Sequence, residues 1–178
     1  MKIALSPIDP ATDREDLVEF LSSNVFPFHV VARPTKADAD ARISRDAFTG
    51  PDNAAFWVEI ADDQRAGFIV FEEVTDGTPL IDLRIAEQWR GLGVGTAALE
   101  LGTATIFDTY PSIQRIEGNT RSDNSGMRRA FASSGYVKEA HYRDGWTVAD
   151  AAPMDAVAYA ILRKDWLSGT TTPVKWES

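Results

Sequence analysis

The chain contains no cysteine in 178 residues. That excludes a disulfide framework, a thiolate metal site and a cysteine nucleophile, and fits a reducing compartment, with cytoplasm the default expectation. Histidine is almost as scarce, and His29 and His141 stand too far apart in sequence to give metal-ligand spacing, so no metal is expected. Positive charge is in deficit. Lys and Arg number 18 against 27 Asp and Glu, a formal net charge of −9, which argues against nucleic acid because no basic excess exists to replace counterions on phosphates. The same balance favours approach of a cationic acceptor such as an amine, and equally serves plain solubility. No apolar run approaches the roughly 20 residues needed to cross a bilayer, and Met1–Pro7 lacks the apolar stretch of a secretory leader, so no membrane partner is expected.

What remains is a chain of single-domain length that buries roughly 70% of its unfolded surface. Thr12-Asp13-Arg14-Glu15 has capping-box spacing and Leu17, Val18, Phe20 and Leu21 follow at helical intervals, predicting a helix from about Asp13 to Ser23 that Asn24 ends. Val25-Phe26-Pro27-Phe28-His29 reads as an aromatic loop, and Thr35 caps a second helix through about Phe48, stopped by Gly50-Pro51. Phe56–Ile60 and Ala66–Val74 read as strands about a turn at Asp62 and Asp63, and Leu80–Ile85 as a third. A helical stripe then runs to about Asp108, and Ile113–Asn119 is strand-like. Asn124 opens another helix that Gly135 closes; Tyr136–Tyr142 and Ala156–Leu162 are two further strands joined by a long loop through Gly145, Ala151 and Pro153. The stretch after Ser168, with Gly169-Thr170-Thr171-Thr172-Pro173, reads as a mobile tail over 169–178.

Arg90-Gly91-Leu92-Gly93-Val94-Gly95-Thr96 is the most informative stretch. It is a glycine loop between a strand and a helix N-terminus, where unpaired N–H groups and the positive end of the helix dipole favour an anion, phosphate above all. It is not a P-loop, which needs a lysine that is absent. Gly93-Val94-Gly95-Thr96-Ala97-Ala98 does match the dinucleotide fingerprint G-x-G-x-x-G/A, with Glu117 at about the distance of a ribose-binding acid. A nicotinamide-dependent oxidoreductase therefore remains an alternative, though too few βα units flank the loop for a doubly wound sheet.

These residues also resemble the GNAT superfamily of acetyl-CoA-dependent N-acetyltransferases. Arg90, Gly93 and Gly95 supply the fixed positions of its acyl-CoA loop, [QR]-x-x-G-x-[GA], with Ile85 and Trp89 placed like the hydrophobic and aromatic residues that precede the arginine. Asn124 followed by Gly135-Tyr136 is similar to the family's later motif, an asparagine opening a helix that ends in Gly-aromatic. The resemblance covers about residues 56–165. Tyr142-Arg143-Asp144-Gly145 and Ala158–Arg163 are most similar to the RimJ/RimL-like branch, which acetylates ribosomal-protein N-termini and includes enzymes for other amines. The resemblance implies a single α/β (α+β) domain over residues 1–168, a central, mostly antiparallel mixed sheet of about six to seven strands flanked by about four helices.

It also implies acetyl transfer from acetyl-CoA to a primary amine, on a small molecule or a protein N-terminus, with a homodimer possible. The backbone N–H groups from Leu92 to Thr96 would receive the pyrophosphate, and Gly93→Val is the substitution expected to damage affinity most. Arg90 is either a phosphate partner or a cation capping loop carbonyls. By resemblance, Leu83, Arg84 and Ile85 hold the pantetheine through their backbone on a strand splayed from its neighbour, with the Ile85 amide polarising the thioester carbonyl. Asn124 would bond the coenzyme as well as cap its helix. Phe131 stands where many relatives carry the tyrosine that protonates the departing thiolate, so that acid is missing; Tyr136 and Tyr142 are possible substitutes. Glu117 is the first candidate for proton acceptor and His29, in the aromatic loop, the second, with Asn119 placed to orient the acceptor. The missing acid leaves open a module that binds acyl-CoA without turnover.

Overall fold

The computed structural model describes residues 2–61 and 64–176. Its elements are β1 (Ala4–Pro7), α1 (Pro10–Ser23), α2 (Lys36–Ile43), β2 (Ala54–Ile60), β3 (Gln64–Glu72), β4 (Leu80–Ile85), α3 (Val94–Thr109), β5 (Arg115–Arg121), α4 (Ser125–Ser133), β6 (Val137–Trp146), β7 (Met154–Leu162) and α5 (Arg163–Ser168). The strands form one seven-stranded sheet in the order β1-β2-β3-β4-β5-β7-β6. Every neighbouring pair is antiparallel except β4 and β5. A single parallel contact in a mixed sheet is not a doubly wound nucleotide fold, and the oxidoreductase reading falls with it.

β3 explains the layering. Its side chains are buried from Ala66 to Phe71, and successive residues leave by opposite faces. Phe68 and Val70 join Leu17, Phe20 and Leu21 of α1, Ala39 and Ile43 of α2, and Trp57 in one core. Ile69 and Phe71 join Val94, Ala98, Leu99 and Ile106 of α3 in the other. α3 lies close on the sheet because Gly102 faces β3: a Cβ there would stand 3.0 Å from Ile69 Cδ1 and from the Phe71 ring.

The helix and strand ends differ from expectation for local reasons. α1 starts at Pro10, not Asp13: Asp9 is the cap, accepting from Ala11 N at 2.9 Å, and Asp13 returns the bond by accepting Asp9 N at 3.0 Å. Thr35 caps α2 as expected, reciprocally with Asp38, but the helix ends at Ile43, and Asp46 beyond it adopts a left-handed φ of 59°. β3 begins and ends two residues earlier than expected, leaving Val74 in a short 3₁₀ turn. Gly145 belongs to β6, so the connection to β7 is shorter than the loop expected there. The edge strand β1 and the short helix α5 were not foreseen. The expected turn at Asp62-Asp63 lies outside the described residues, as do the last two residues of the expected tail. Thr172, within that tail, hydrogen-bonds Asp165 through both its amide and its hydroxyl.

Candidate active site

β4 and β5 pair only where Leu80 faces Glu117, beside a bond from Glu117 N to Pro79 O of 2.9 Å. Beyond that point they diverge. β4 remains laddered to β3 on its other side, and the bond from Ala86 N to Ala66 O fixes the phase of that ladder. By strand alternation the peptide groups of Asp82 and Arg84 face β3, while those of Leu83 and Ile85 face the gap. Unladdered backbone in the middle of a sheet is an unmet hydrogen-bonding demand.

One side of the gap opens to a cleft of about 580 Å³ between the N-terminal ends of α3 and α4. Gly93 caps α3 at a φ of 84°, and Gly91 before it has 73°. The first helical acceptor, Gly93 O, is taken by Ala97 N, so the N–H groups of Val94, Gly95 and Thr96 have no helical partner. Gly91, Gly93, Gly95 and Thr96 line the cleft. Leu92 points to solvent and Val94 into the core, so these two can offer only backbone. Arg90 borders the cleft and makes the contacts of the second of its two readings: its guanidinium donates to Ile85 O at 2.8 Å and Val25 O at 2.6 Å, stapling the end of β4 to the aromatic loop.

The other side of the gap opens to a cavity of about 460 Å³, whose lining includes Asp38 and Arg42 of α2, Glu72, Asp82 and Asn119. Phe28, His29, Leu83, Arg84, Asn124 and Met127 border both spaces, so the two meet in the gap. His29 Nε2 lies 3.2 Å from Asp82 Oδ1, Arg42 donates to Oδ2 at 2.5 Å, and Arg84 Nε stands 3.3 Å from each oxygen. Burial opposes ionisation of Asp82, but the Arg84 and Arg42 guanidiniums and His29 outweigh it and hold the carboxyl well below the usual carboxylate range. Burial and the Asp82 charge push the neighbouring Glu72 carboxyl up.

The remaining expected site residues fall in several places. Glu117 is engaged by Arg115 at 2.7 Å, which also binds Glu139 at 2.5 Å, and it borders neither space. Asn119, on the same strand face, does border the cavity. Asn124 accepts from Met127 N at 3.1 Å and donates to Thr120 Oγ1 at 3.0 Å, so its cap role is filled. Phe131 is 1% exposed at the base of the cavity, stacked on Tyr159 at 5.0 Å. Tyr136 is buried, its hydroxyl 2.6 Å from Thr103 Oγ1, and burial pushes its phenol up. Tyr142 is on the surface and borders neither space. His141 is surface-exposed and paired with Asp155 at 2.8 Å.

Asp82, Arg42, Glu72 and the cleft-lining Arg129 of α4 were not singled out in the sequence. For Asp82 and Arg84 a signal exists: two opposite charges spaced by two on a strand that leads into the glycine loop share one face. Arg42 and Glu72 meet them only through folding.

The family model described as "Acetyltransferase (GNAT) domain" matches residues 2–137. Among solved structures, a spermidine N-acetyltransferase SpeG chimera from Vibrio cholerae and hSSAT superposes with a TM-score of 0.78 at 15% identity, covering 94% of this chain and 99% of that one. Mycobacterium smegmatis RimJ in complex with CoA-disulfide gives 0.76 at 21% identity, covering 92% and 83%. The Vibrio cholerae spermidine N-acetyltransferase in complex with CoA and spermine gives 0.75 at 14%, covering 93% and 98%. Among curated proteins, sequence comparison finds no match.

Proposed function

Because the chain belongs to the GNAT acetyltransferase family, we propose that it transfers acetyl from acetyl-CoA to a primary amine, on a protein N-terminus or a small molecule, by direct attack with both substrates bound. The observation that carries this reading is the meeting of two spaces in the gap between β4 and β5, with six residues common to both. A donor and an acceptor entering from opposite sides would bring their reacting atoms together there.

The cleft suits a coenzyme with a pyrophosphate and an extended amide-bearing arm. Three free N–H groups open α3, glycines leave the approach clear, and the Leu83 peptide and the Ile85 N–H offer the pairing that β5 withholds. Arg129 borders the cleft and makes no side-chain ion pair among the described residues, so it supplies a cation for phosphate. Acetyl-CoA contributes the activated thioester. The Ile85 N–H is aimed into the gap as an oxyanion donor.

His29 accepts the proton that the attacking nitrogen sheds. With Asp82 ionised, Nε2 donates to Oδ1, which leaves Nδ1 as the accepting lone pair. Glu117 passes out of this role because Arg115 occupies its carboxylate. Among the described residues no phenol lines the junction, and the chain has no cysteine to carry acetyl, so transfer is direct, and protonation of the departing sulfur falls to water, sufficient for a thiol of pKa near 8.5.

Phe131 and the engaged Tyr136 hydroxyl favour one second reading, a module that binds acyl-CoA without turnover. Steady CoA release from acetyl-CoA with a panel of amines tests the two. Release that depends on amine supports transfer; tight binding with no release for any amine supports the module.

A further inference from the structure

The open end of the gap between β4 and β5 is bridged. The two strands run parallel and part beyond the contact of Leu80 with Glu117, so the end of β4 at Ile85 and the end of β5 at Arg121 form the two banks of the opening. The aromatic loop is held from both. On the β4 bank, Arg90 joins Ile85 O to Val25 O, and Val25 N donates to Glu87 Oε1 at 3.0 Å. On the β5 bank, Arg121 Nη1 donates to Pro27 O at 2.9 Å, from 94 residues away in the chain. The two carbonyls belong to residues two apart, at most about 7 Å of chain, so one short step of loop joins the banks.

Arg121 is a fixed arm. It is the last residue of β5, in register with Ala156 of β7. Its Nε and Nη2 are taken by the two oxygens of Asp123 at 3.0 and 2.6 Å, which locks the plane of the fork and aims the remaining Nη1 at Pro27. Its guanidinium carbon lies 5.2 Å from the centroid of the Phe28 ring. Only 14% of this side chain is exposed, so it is tucked under the loop and not left as a surface ion pair. Pro27 and Phe28 are the central residues of a turn closed by His29 N on Phe26 O at 3.0 Å. The carbonyl that Arg121 holds therefore lies inside the turn that delivers the imidazole to Asp82. Arg121 borders neither space, and its influence on the chemistry has to pass through that turn.

We propose that Arg121 is a positioning residue for His29, fixing from β5 the turn that carries the imidazole to Asp82 on β4, a role that rests on His29 being the proton acceptor of the transfer reading. Without this arm the turn loses its anchor on β5. The ring then samples positions off Asp82, and misplacement by about 1 Å is enough to slow a positioned reaction by up to about 10²-fold.

Ring-nitrogen NMR of the whole protein reads the placement with no turnover. The chain has two histidines, and His29→Gln assigns the pair. Under alkaline conditions wild-type His29 is expected as one tautomer, protonated at Nε2 against Asp82, and in Arg121→Gln as an average of both. Kinetics with the best amine of the panel read the consequence. Arg121→Gln is expected to lower kcat about tenfold, while the same substitution made in His29→Gln costs less than about twofold, because the group it positions is already gone. Asp123→Asn, at a more exposed residue, is expected to give the same pattern at smaller size and supplies the result if Arg121→Gln does not fold. Equal losses in the two backgrounds, or ring-nitrogen signals that neither substitution changes, overturn the proposal. Where no amine supports turnover the transfer reading is what fails, and the tautomer alone then decides whether Arg121 places the ring.

Discussion

His29 and Asp82 are 53 residues apart in the chain and meet at 3.2 Å where the gap between β4 and β5 joins the two spaces. The contact needs the aromatic loop folded back over β4, which Arg90 secures by holding Val25 O and Ile85 O together. An imidazole so placed has one nitrogen fixed and one free, the arrangement a general base requires.

His29→Gln is therefore expected to lower kcat by about 10²-fold, within the usual range for removing a general base, and to leave CoA affinity within about twofold. Rapid-quench measurement of acetyl transfer alongside calorimetry with CoA checks both halves. A variant that retains a third or more of wild-type kcat removes His29 from the chemistry.

The loop glycines differ in why they matter. At Gly93 a Cβ would meet nothing within 4 Å, yet φ is 84°, a left-handed conformation that a β-branched residue resists. At Gly95 the backbone is helical, and a Cβ would make ordinary contacts with Ile85 and Leu83 at 3.7 and 3.9 Å. Gly93→Val should accordingly shift the loop and weaken CoA binding by tenfold or more, with Gly95→Ala acting only by filling cleft space. Titration of CoA into each variant, with circular dichroism to monitor folding, separates them. Equal affinities for wild type and Gly93→Val would break the link between loop geometry and the coenzyme.

What could be read from the residues was local. The strand Leu80–Ile85, the glycine loop and the asparagine-capped helix each declare themselves within a few positions, because pleat alternation, left-handed turns and capping bonds are satisfied by near neighbours. The fold class came with the family resemblance that those motifs carry. The charge assembly around Asp82 did not, since Arg42 reaches it from 40 residues away and His29 from 53. Glu117 sits in an ion cluster with Arg115, two positions off and visible locally, and with Glu139, which comes from another strand and is not. β1 and α5 escaped because four and six residues carry too little periodicity to distinguish from loop.

Phe131 closes the base of the cavity against Gly118, where a Cβ would fall 2.2 Å from Phe131 Cζ. The pair is a fitted contact between β5 and α4 with no slack. Gly118→Ala is expected to destabilise by about 1–3 kcal/mol through overpacking, and Phe131→Ala by about 3–5 kcal/mol through the void it leaves. Denaturant unfolding measures both. Gly118→Ala at wild-type stability would mean the ring is free to move, and the cavity base with it.

The Asp82 carboxylate ties stability to pH. Its folded-state pKa is depressed relative to the unfolded value near 3.9, so its contribution is complete above that value and is lost as pH falls through the folded one. Asp82→Asn removes the charge at every pH and leaves two largely buried guanidiniums without their carboxylate, with a cost of about 3–5 kcal/mol at pH 7. The difference in unfolding free energy between wild type and variant should hold steady from pH 7 to pH 5 and shrink below about pH 4, as protonation makes the wild type resemble the variant. Urea titrations at pH 7, 5, 4 and 3 follow that difference directly. A gap that stays constant across all four would place the importance of Asp82 in its shape rather than its charge, and the ionic assembly that holds His29 and Arg84 against one oxygen would no longer account for their alignment.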